Sequence, residues 1–92
     1  MLVAGGTRPA ELARIRALAP AIPLLVPGIG AQGGDVDAVV RAGLDARGRG
    51  LVVNSSRAVL YASRGPDFAD AARAEATALR DALRRAAATA AP

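Results

Sequence analysis

Two loops hold the residues of this chain that are best suited to binding an anion. The first, residues 27–35, reads Pro-Gly-Ile-Gly-Ala-Gln-Gly-Gly-Asp. Its glycines let the backbone approach a ligand closely and turn N–H groups toward it. A helix predicted directly after the loop would add the positive end of its dipole. The same glycines would also suit a tight strand-to-helix turn that binds nothing, so this loop alone leaves both interpretations open.

The second loop, residues 54–57, reads Asn-Ser-Ser-Arg and ends in Arg57. An arginine just beyond the end of a strand can bind a phosphate or carboxylate through two parallel hydrogen bonds. The alternative is a surface arginine at the start of a helix, where its charge is slightly unfavourable. That mismatch favours the binding interpretation.

The composition excludes several kinds of catalytic site. The chain has 92 residues with no His, Cys or Trp, and all 12 of its basic residues are Arg. A Ser-His-Asp or Cys-His catalytic site, a Cys/His zinc site and lysine chemistry are therefore impossible within it. The arginines are scattered among acidic residues, so the net charge of +4 does not favour a nucleic-acid partner. No apolar run reaches the roughly 18 residues of a membrane span and no signal peptide is evident, so we expect a cytoplasmic protein with no membrane partner.

Apolar runs separated by glycine and proline predict three strands, near residues 2–5, 22–26 and 51–54. Runs without polar alternation suit strands covered on both faces, as in a parallel sheet. We expect one face of this sheet to remain uncovered in the chain by itself. The side chains expected there are Leu24, Val26 and either Val52 or Val53.

Helical patterns follow each predicted strand. The first helix is predicted within residues 7–20 with Thr7 as its N-cap, the second within 35–43, a short turn over 58–62 and a long helix over about 66–87. The residues expected on their buried faces are Leu12, Ile15 and Leu18, then Val36, Val39 and Val40, and finally Phe68, Ala72, Ala76, Leu79 and Leu83.

The resulting β-α-β-α-β-α order predicts an α/β fold with a parallel sheet. In (β/α)₈ barrels, phosphate is commonly bound by the loops after strands seven and eight, beside a short extra helix. A glycine-rich loop, then an arginine with a short helical turn, then a closing helix match that layout. The sequence therefore predicts the last three βα units of such a barrel, with residues 1–92 forming a single partial domain and residues 88–92 a frayed tail.

The two loops with their flanking residues, 26–35 and 53–58, resemble the C-terminal part of orotidine 5′-phosphate decarboxylase, in the bacterial type that keeps the Pro-Gly-Ile-Gly-Ala-Gln-Gly-Gly-Asp loop. The resemblance covers residues 2 to about 85. It implies a TIM-barrel carboxy-lyase of pyrimidine biosynthesis that converts orotidine monophosphate to UMP and CO₂ without cofactor or metal. The family is typically a homodimer.

The resemblance also implies roles for individual residues. Gln32 would fold over the ligand and contact both phosphate and pyrimidine, and Arg57 would bind the phosphate. Backbone N–H groups around Gly30 and Ser56 would complete the phosphate site. The residues that would support the loop are Pro27, Gly28, Gly33 and Gly34.

Two departures from the family's pattern limit what this chain can do. It has no Asp-x-Lys-x-x-Asp motif and no lysine, so the group that protonates C6 of the pyrimidine must come from elsewhere. Its Ala-Gly-Gly-Thr segment ending at Thr7 differs from the family's Val-Gly-Ala-Thr, and Thr7 receives no ligand role. We therefore expect the chain alone to be inactive and to need the missing N-terminal barrel segment or to self-associate.

Two other functions remain compatible with these loops. One is a segment of a different phosphate-binding β/α-barrel enzyme, since such loops recur across unrelated chemistries. The other is a non-catalytic module that binds phosphate or a polyanion. A preference for nucleoside monophosphate over sugar phosphate or polyanion would favour the decarboxylase.

Overall fold

The computed structural model describes residues 1–6, 8–27, 29 and 36–90, with only the backbone of Ser56 and Ala90. Three strands and four helices alternate along these residues. In chain order they are β1 (Leu2–Val3), α1 (Pro9–Leu18), β2 (Leu24–Pro27), α2 (Val36–Gly43), β3 (Leu51–Asn54), α3 (Ser56–Leu60) and α4 (Phe68–Ala90).

The strands form one parallel sheet in the order β1-β2-β3. Strands that neighbour each other in the chain also neighbour each other in the sheet, which is the winding of a barrel segment and confirms the predicted fold class. β2 begins at Leu24 rather than at Ile22. The reason is that the Ile22 N–H bonds to the Ala19 carbonyl in the turn that closes α1.

The helices cover one face of the sheet. Leu24 and Val26 are fully buried there, and they form the core with Ala4, Leu12, Ile29 and Val39. The prediction that Leu24 and Val26 face solvent is therefore wrong, because α1 and α2 pack over their side of the sheet.

The opposite face of the sheet is uncovered. Val3, Leu25 and Val52 lie in register across the three strands. Val3 is 68% exposed and Val52 is 47% exposed. We call these three residues the open sheet face. The exposure of Val52 confirms the prediction that either Val52 or Val53 lies on the uncovered face.

The predicted buried face of helix α1 is only partly correct. Leu12 is fully buried, but Leu18 is 83% exposed. Spacings of three residues fall short of the 3.6-residue turn, so the side chains rotate away from the core along the helix. Arg16, four residues after Leu12, takes the buried position instead. Helix α1 starts at Pro9 with Arg8 at its N-cap, so the prediction that Thr7 is the N-cap is wrong.

Helix α4 runs from Phe68 to Ala90, past the predicted end at residue 87, and packs on α2 and α3. Its burial is concentrated toward its second half, where Ala86 is buried and Leu79 packs against the core. Phe68 is 63% exposed and Ala76 is exposed, so the prediction that they are buried is wrong. Residues 91 and 92 lie outside the described residues, and the predicted fraying of 88–92 stays a prediction.

Arg16 is the one charged side chain buried among the described residues. Its Nε donates to the Gly43 carbonyl at 2.7 Å and its Nη2 to the Gly50 carbonyl at 2.9 Å. Its Nη1 donates to the carbonyls of Ala19 and Ile22 at 3.0 and 2.7 Å. The guanidinium thus joins the ends of α1 and α2 to the segments that enter β2 and β3.

The turn between α2 and β3 is organised by Asp45. Its Oδ1 accepts the N–H groups of Arg47 and Arg49, each at 2.9 Å. Gly48 and Gly50 have φ values of +72° and +87°, which residues with a Cβ rarely adopt. The Arg49 N–H, then the Arg47 N–H and the nearby Arg16 charge, hold the Asp45 pKa below its ordinary value against a smaller opposing effect of desolvation.

Candidate functional site

The two predicted anion-binding loops leave the sheet side by side. Pro27 and Asn54 are the last residues of β2 and β3, and they pair across the sheet. The carboxyl ends of parallel strands meet at the same edge, which is where ligands bind in α/β folds. The structure therefore brings together the starts of the loops that sequence analysis singled out separately.

A side-chain hydrogen bond ties these loops to each other. The Ser55 hydroxyl donates to the Ile29 carbonyl at 2.9 Å, and the Ile29 side chain is fully buried. Ser55 occupies the N-cap position of α3, yet its side chain makes no cap hydrogen bond. A serine that would ordinarily stabilise its own helix here fixes α3 against the loop after β2.

The loop after β1 also supports the loop after β2. A Cβ added to Gly6 would lie 3.2 Å from side-chain carbons of Ile29 and Val26 and 3.3 Å from the Pro27 carbonyl. Only a residue without a side chain fits there without displacing its neighbours. Gly6 and Ser55 are thus supporting residues that sequence analysis did not identify. A serine directly before a short helix was the one available signal for Ser55.

Arg57 lies in the first turn of α3 with an exposed side chain. Its carbonyl accepts the Tyr61 N–H at 3.0 Å, as expected in a helix. Among the residues that the structure describes, its guanidinium has no ion-pair partner. The side chain is therefore available to an external anion at the carboxyl edge of the sheet.

The remaining predicted site residues are only partly placed. Ser56 is the first residue of α3, and its backbone follows Ser55 directly. Gly28, Gly30, Gln32, Gly33 and Gly34 lie outside the described residues, so their predicted roles stay predictions.

A separate groove of about 380 Å³ lies between β3, α3 and α4. Its lining is mainly apolar, from Val53, Val59, Leu79 and Leu83, and it also includes Ser55, Arg80 and Arg84. The apolar part of this lining does not favour a phosphate. Within the described ranges, no three metal-binding side chains cluster together, and no helix has the length and apolar character needed to cross a membrane.

Comparison with known proteins confirms the resemblance seen in the loops. The chain is 65% identical over 82 residues to the orotidine 5′-phosphate decarboxylase of Azoarcus sp., which covers 89% of the chain and 30% of that protein. It is 63% identical over 94 residues to the enzyme of the same name from Leptothrix cholodnii, covering 97% of the chain and 33% of that protein. The chain thus spans about a third of the length of these curated relatives. No family model matches it.

Solved structures show the same similarity in three dimensions. A Leishmania donovani UMP synthase matches with a TM-score of 0.68 and 46% identity, covering 90% of this chain and 18% of that one. A Leishmania donovani OMP decarboxylase matches with a TM-score of 0.66 and 40% identity, covering 90% of this chain and 31% of that one. The three-stranded α/β fold is therefore that of part of these larger structures.

Proposed function

We propose that this chain is the phosphate-binding segment of an orotidine 5′-phosphate decarboxylase, an enzyme that converts orotidine monophosphate to UMP and CO₂. The observation that carries the proposal is the 65% identity, over 82 residues, with a protein of that name. The geometry supports it, because the loops after β2 and β3 are joined through Ser55 and Ile29 with an exposed Arg57 beside them.

In this proposal the chain binds mainly the phosphate of the substrate, which does not react. The Arg57 guanidinium binds the phosphate through charge-assisted hydrogen bonds. Gln32 closes over the phosphate and pyrimidine, and the backbone at Gly30 and Ser56 supplies further N–H donors. Pro27, Gly28, Gly33 and Gly34 shape the loop. Binding energy from the remote phosphate stabilises the transition state for loss of CO₂.

The chemical step needs groups that this chain does not contain. When the bond from C6 to the carboxylate breaks, its electron pair stays on C6 and must accept a proton. The proposal assigns that proton to a lysine of the remaining barrel, since the chain has no lysine. The chain alone is therefore expected to be inactive.

The same proposal names the partners of the chain. The missing N-terminal part of the barrel would cover the open sheet face of Val3, Leu25 and Val52. Orotidine monophosphate and UMP are the expected ligands, with no cofactor, metal, membrane or nucleic acid involved. We also propose that the complete enzyme is a homodimer and that it is located in the cytoplasm.

The test is to replace the matched 30% of the Azoarcus enzyme with this chain and to measure CO₂ release from orotidine monophosphate. We expect the chimera to be active and Arg57→Ala to lower its kcat/KM. Arg73→Ala is the matched control, because Arg73 is an exposed arginine on α4. The proposal fails if the chimera folds, as judged by circular dichroism, but releases no CO₂.

Ligand competition separates this proposal from the other candidate functions. UMP should inhibit the chimera far better than ribose 5-phosphate does. Equal inhibition by both would favour a general sugar-phosphate site. A polyanion such as heparin should compete weakly, and strong salt-dependent competition by it would favour a polyanion-binding module.

A further inference from the structure

Helix α4 packs on α2 and α3 but does not close over the part of β3 that lies between them. The groove between β3, α3 and α4 has a volume of about 380 Å³. A second groove, of about 290 Å³, lies between the end of α2, β3 and α4. Val53, Leu83 and Arg84 line both, so the two grooves adjoin. We call them together the α4 groove.

The walls of the α4 groove are mainly apolar. Helix α4 contributes residues at spacings of three and four, which form one helix face, namely Ala76, Leu79, Leu83 and Ala87. At 1.5 Å per residue this stripe is roughly 16 Å long, or about three helical turns. Ala76 is exposed and the other three are half-buried, as is Val53 of β3. An apolar helix face of this length is normally covered by another element of the folded protein.

Arginine side chains form the polar part of the α4 groove. Arg49, Arg80 and Arg84 line it, and all three are exposed. Arg80 pairs with Asp81, its neighbour in the chain, at 3.1 Å. Within the described ranges, the guanidinium groups of Arg49 and Arg84 have no ion-pair partner. None of the described residues that line the groove is acidic. The groove therefore suits an apolar surface that is flanked by carboxylates.

The α4 groove lies beside an edge of the sheet. β3 is the last strand in the order β1-β2-β3, and within the described residues it pairs with β2 alone. In a β/α barrel the next βα unit continues the sheet at such an edge, and its helix joins the outer ring. The groove also reaches the candidate site, because Ser55 lines it. The chain spans 30% of the Azoarcus relative, so most of such a barrel lies outside it.

We propose that the α4 groove binds an amphipathic helix of the remaining barrel, with its apolar face against Leu83 and acidic side chains opposite Arg49 and Arg84. The inference rests on the proposed function, which supplies the remaining barrel as the partner. Burial of the apolar stripe provides most of the stabilisation. The ion pairs select an acidic helix and fix its register more than they add affinity. The docked helix also covers Ser55, whose hydroxyl joins the two loops of the candidate site.

Thiol labelling tests whether the groove is covered. The chain has no cysteine, so Ala76→Cys places its one thiol in the groove. Ala74→Cys is the matched control, because Ala74 is also exposed on α4 but lines neither groove. In the dilute isolated chain both thiols should react with a maleimide at similar rates. In the Azoarcus chimera the Ala76→Cys thiol should react at least about 10-fold more slowly, and the Ala74→Cys thiol should react as before. Mass spectrometry identifies the labelled peptide.

A charge substitution tests whether the docked helix is acidic. Arg84→Gln should lower the melting temperature of the chimera by about 2–4 °C, the shift expected when an ion pair is lost from a protein of this size. It should change the stability of the isolated chain little, and about 1 M NaCl should reduce its effect on the chimera. Arg73→Gln is the matched control on α4 and should change neither protein. Equal shifts for the two substitutions would overturn the acidic character of the partner.

The labelling outcomes also separate this inference from the proposed function. An Ala76→Cys thiol that reacts as fast in the chimera as in the isolated chain would overturn the inference, and release of CO₂ by that chimera would leave the proposed function standing. A folded chimera that protects the thiol but releases no CO₂ would refute the proposed function and keep the docking site. Protection that grows with the concentration of the isolated chain would assign the groove to a second copy and overturn the inference.

Discussion

Arg57 and Gln32 are expected to contribute unequally to phosphate binding. In the chimera, Arg57→Ala should weaken UMP binding by about 2–4 kcal/mol, because a charge-assisted anion contact is lost. Gln32→Ala should have a smaller effect, because its amide is neutral. Isothermal titration with UMP measures both. A larger loss for Gln32→Ala would contradict this division of roles.

Ser55 should affect both stability and ligand binding. Ser55→Ala removes the hydrogen bond to the Ile29 carbonyl and should lower the free energy of unfolding by about 1–2 kcal/mol. It should also weaken UMP binding, since α3 is no longer tied to the loop after β2. Denaturant unfolding and UMP titration check the two effects.

Ser63→Ala provides the comparison for Ser55. Ser63 also donates through its hydroxyl, but to the Asp67 carboxylate in an exposed turn, and it accepts the Gly65 N–H at 3.1 Å. We expect its substitution to leave UMP affinity unchanged. Equal effects of the two substitutions on UMP affinity would show that the Ser55–Ile29 bond does not position the site.

At the residue scale, local pattern identified Arg57 but not Arg16. Arg57 follows a strand and stands out by type and position. Arg16 acquires its role from the carbonyls of Gly43 and Gly50, which are 27 and 34 residues away. Such partners exist only once α2 and β3 have folded against α1, so no spacing in the sequence indicates them.

At the scale of elements, the Asp45 turn predicts a pH dependence. The backbone N–H of Arg49 and then that of Arg47 stabilise the charged carboxylate and lower its pKa in the folded chain. A carboxylate with a lowered folded-state pKa adds stability above its unfolded pKa and loses it as pH falls through the folded value. Stability should therefore decrease as the solution becomes more acidic than the ordinary Asp pKa.

Asp45→Asn should remove this contribution to the pH dependence. Urea unfolding of the chimera at neutral and at acidic pH measures it, with Asp37→Asn as the control, an exposed residue in the first turn of α2. The difference between Asp45→Asn and the unmodified protein should shrink as pH falls. A difference that is constant with pH would show that the Asp45 charge does not contribute.

The type and order of the elements were predictable from the sequence, but some of their faces were not. Glycine and proline breaks separate the apolar runs clearly, which is why three strands, three helices and a short helical turn are predicted near the observed elements. Which face of β2 is buried depends on the side over which α1 and α2 pass. The side on which the helices pack is decided by tertiary contacts and not by the local sequence. For this reason Leu24 and Val26 are buried, although they were predicted to be exposed.

At the scale of the whole molecule, the open sheet face predicts self-association of the isolated chain. Val3 and Val52 are exposed in register, and exposed apolar patches on parallel sheets favour association. Sedimentation of the 92-residue chain should show species heavier than its 9.2 kDa, increasing with concentration. Val52→Lys should shift the population toward monomer, because it places a charge on this face.

Leu18→Lys is the control for Val52→Lys. Leu18 is 83% exposed on α1, so this substitution adds the same charge away from the open sheet face. It should leave the association unchanged. A chain that is monomeric at every concentration would contradict the prediction, as would an equal effect of the two lysines.

The position of Arg16 has a consequence for how this sequence can evolve. Its carbonyl partners at Ile22 and Gly50 lie in the segments that enter β2 and β3, at the end of the sheet opposite to Ser55 and Arg57. The Arg16 hydrogen bonds thus stabilise the fold at one end of the strands, and the proposed ligand contacts lie at the other end. Substitutions in the loops at the ligand end can then accumulate and change specificity with little cost to folding, whereas the surroundings of Arg16 should tolerate few changes.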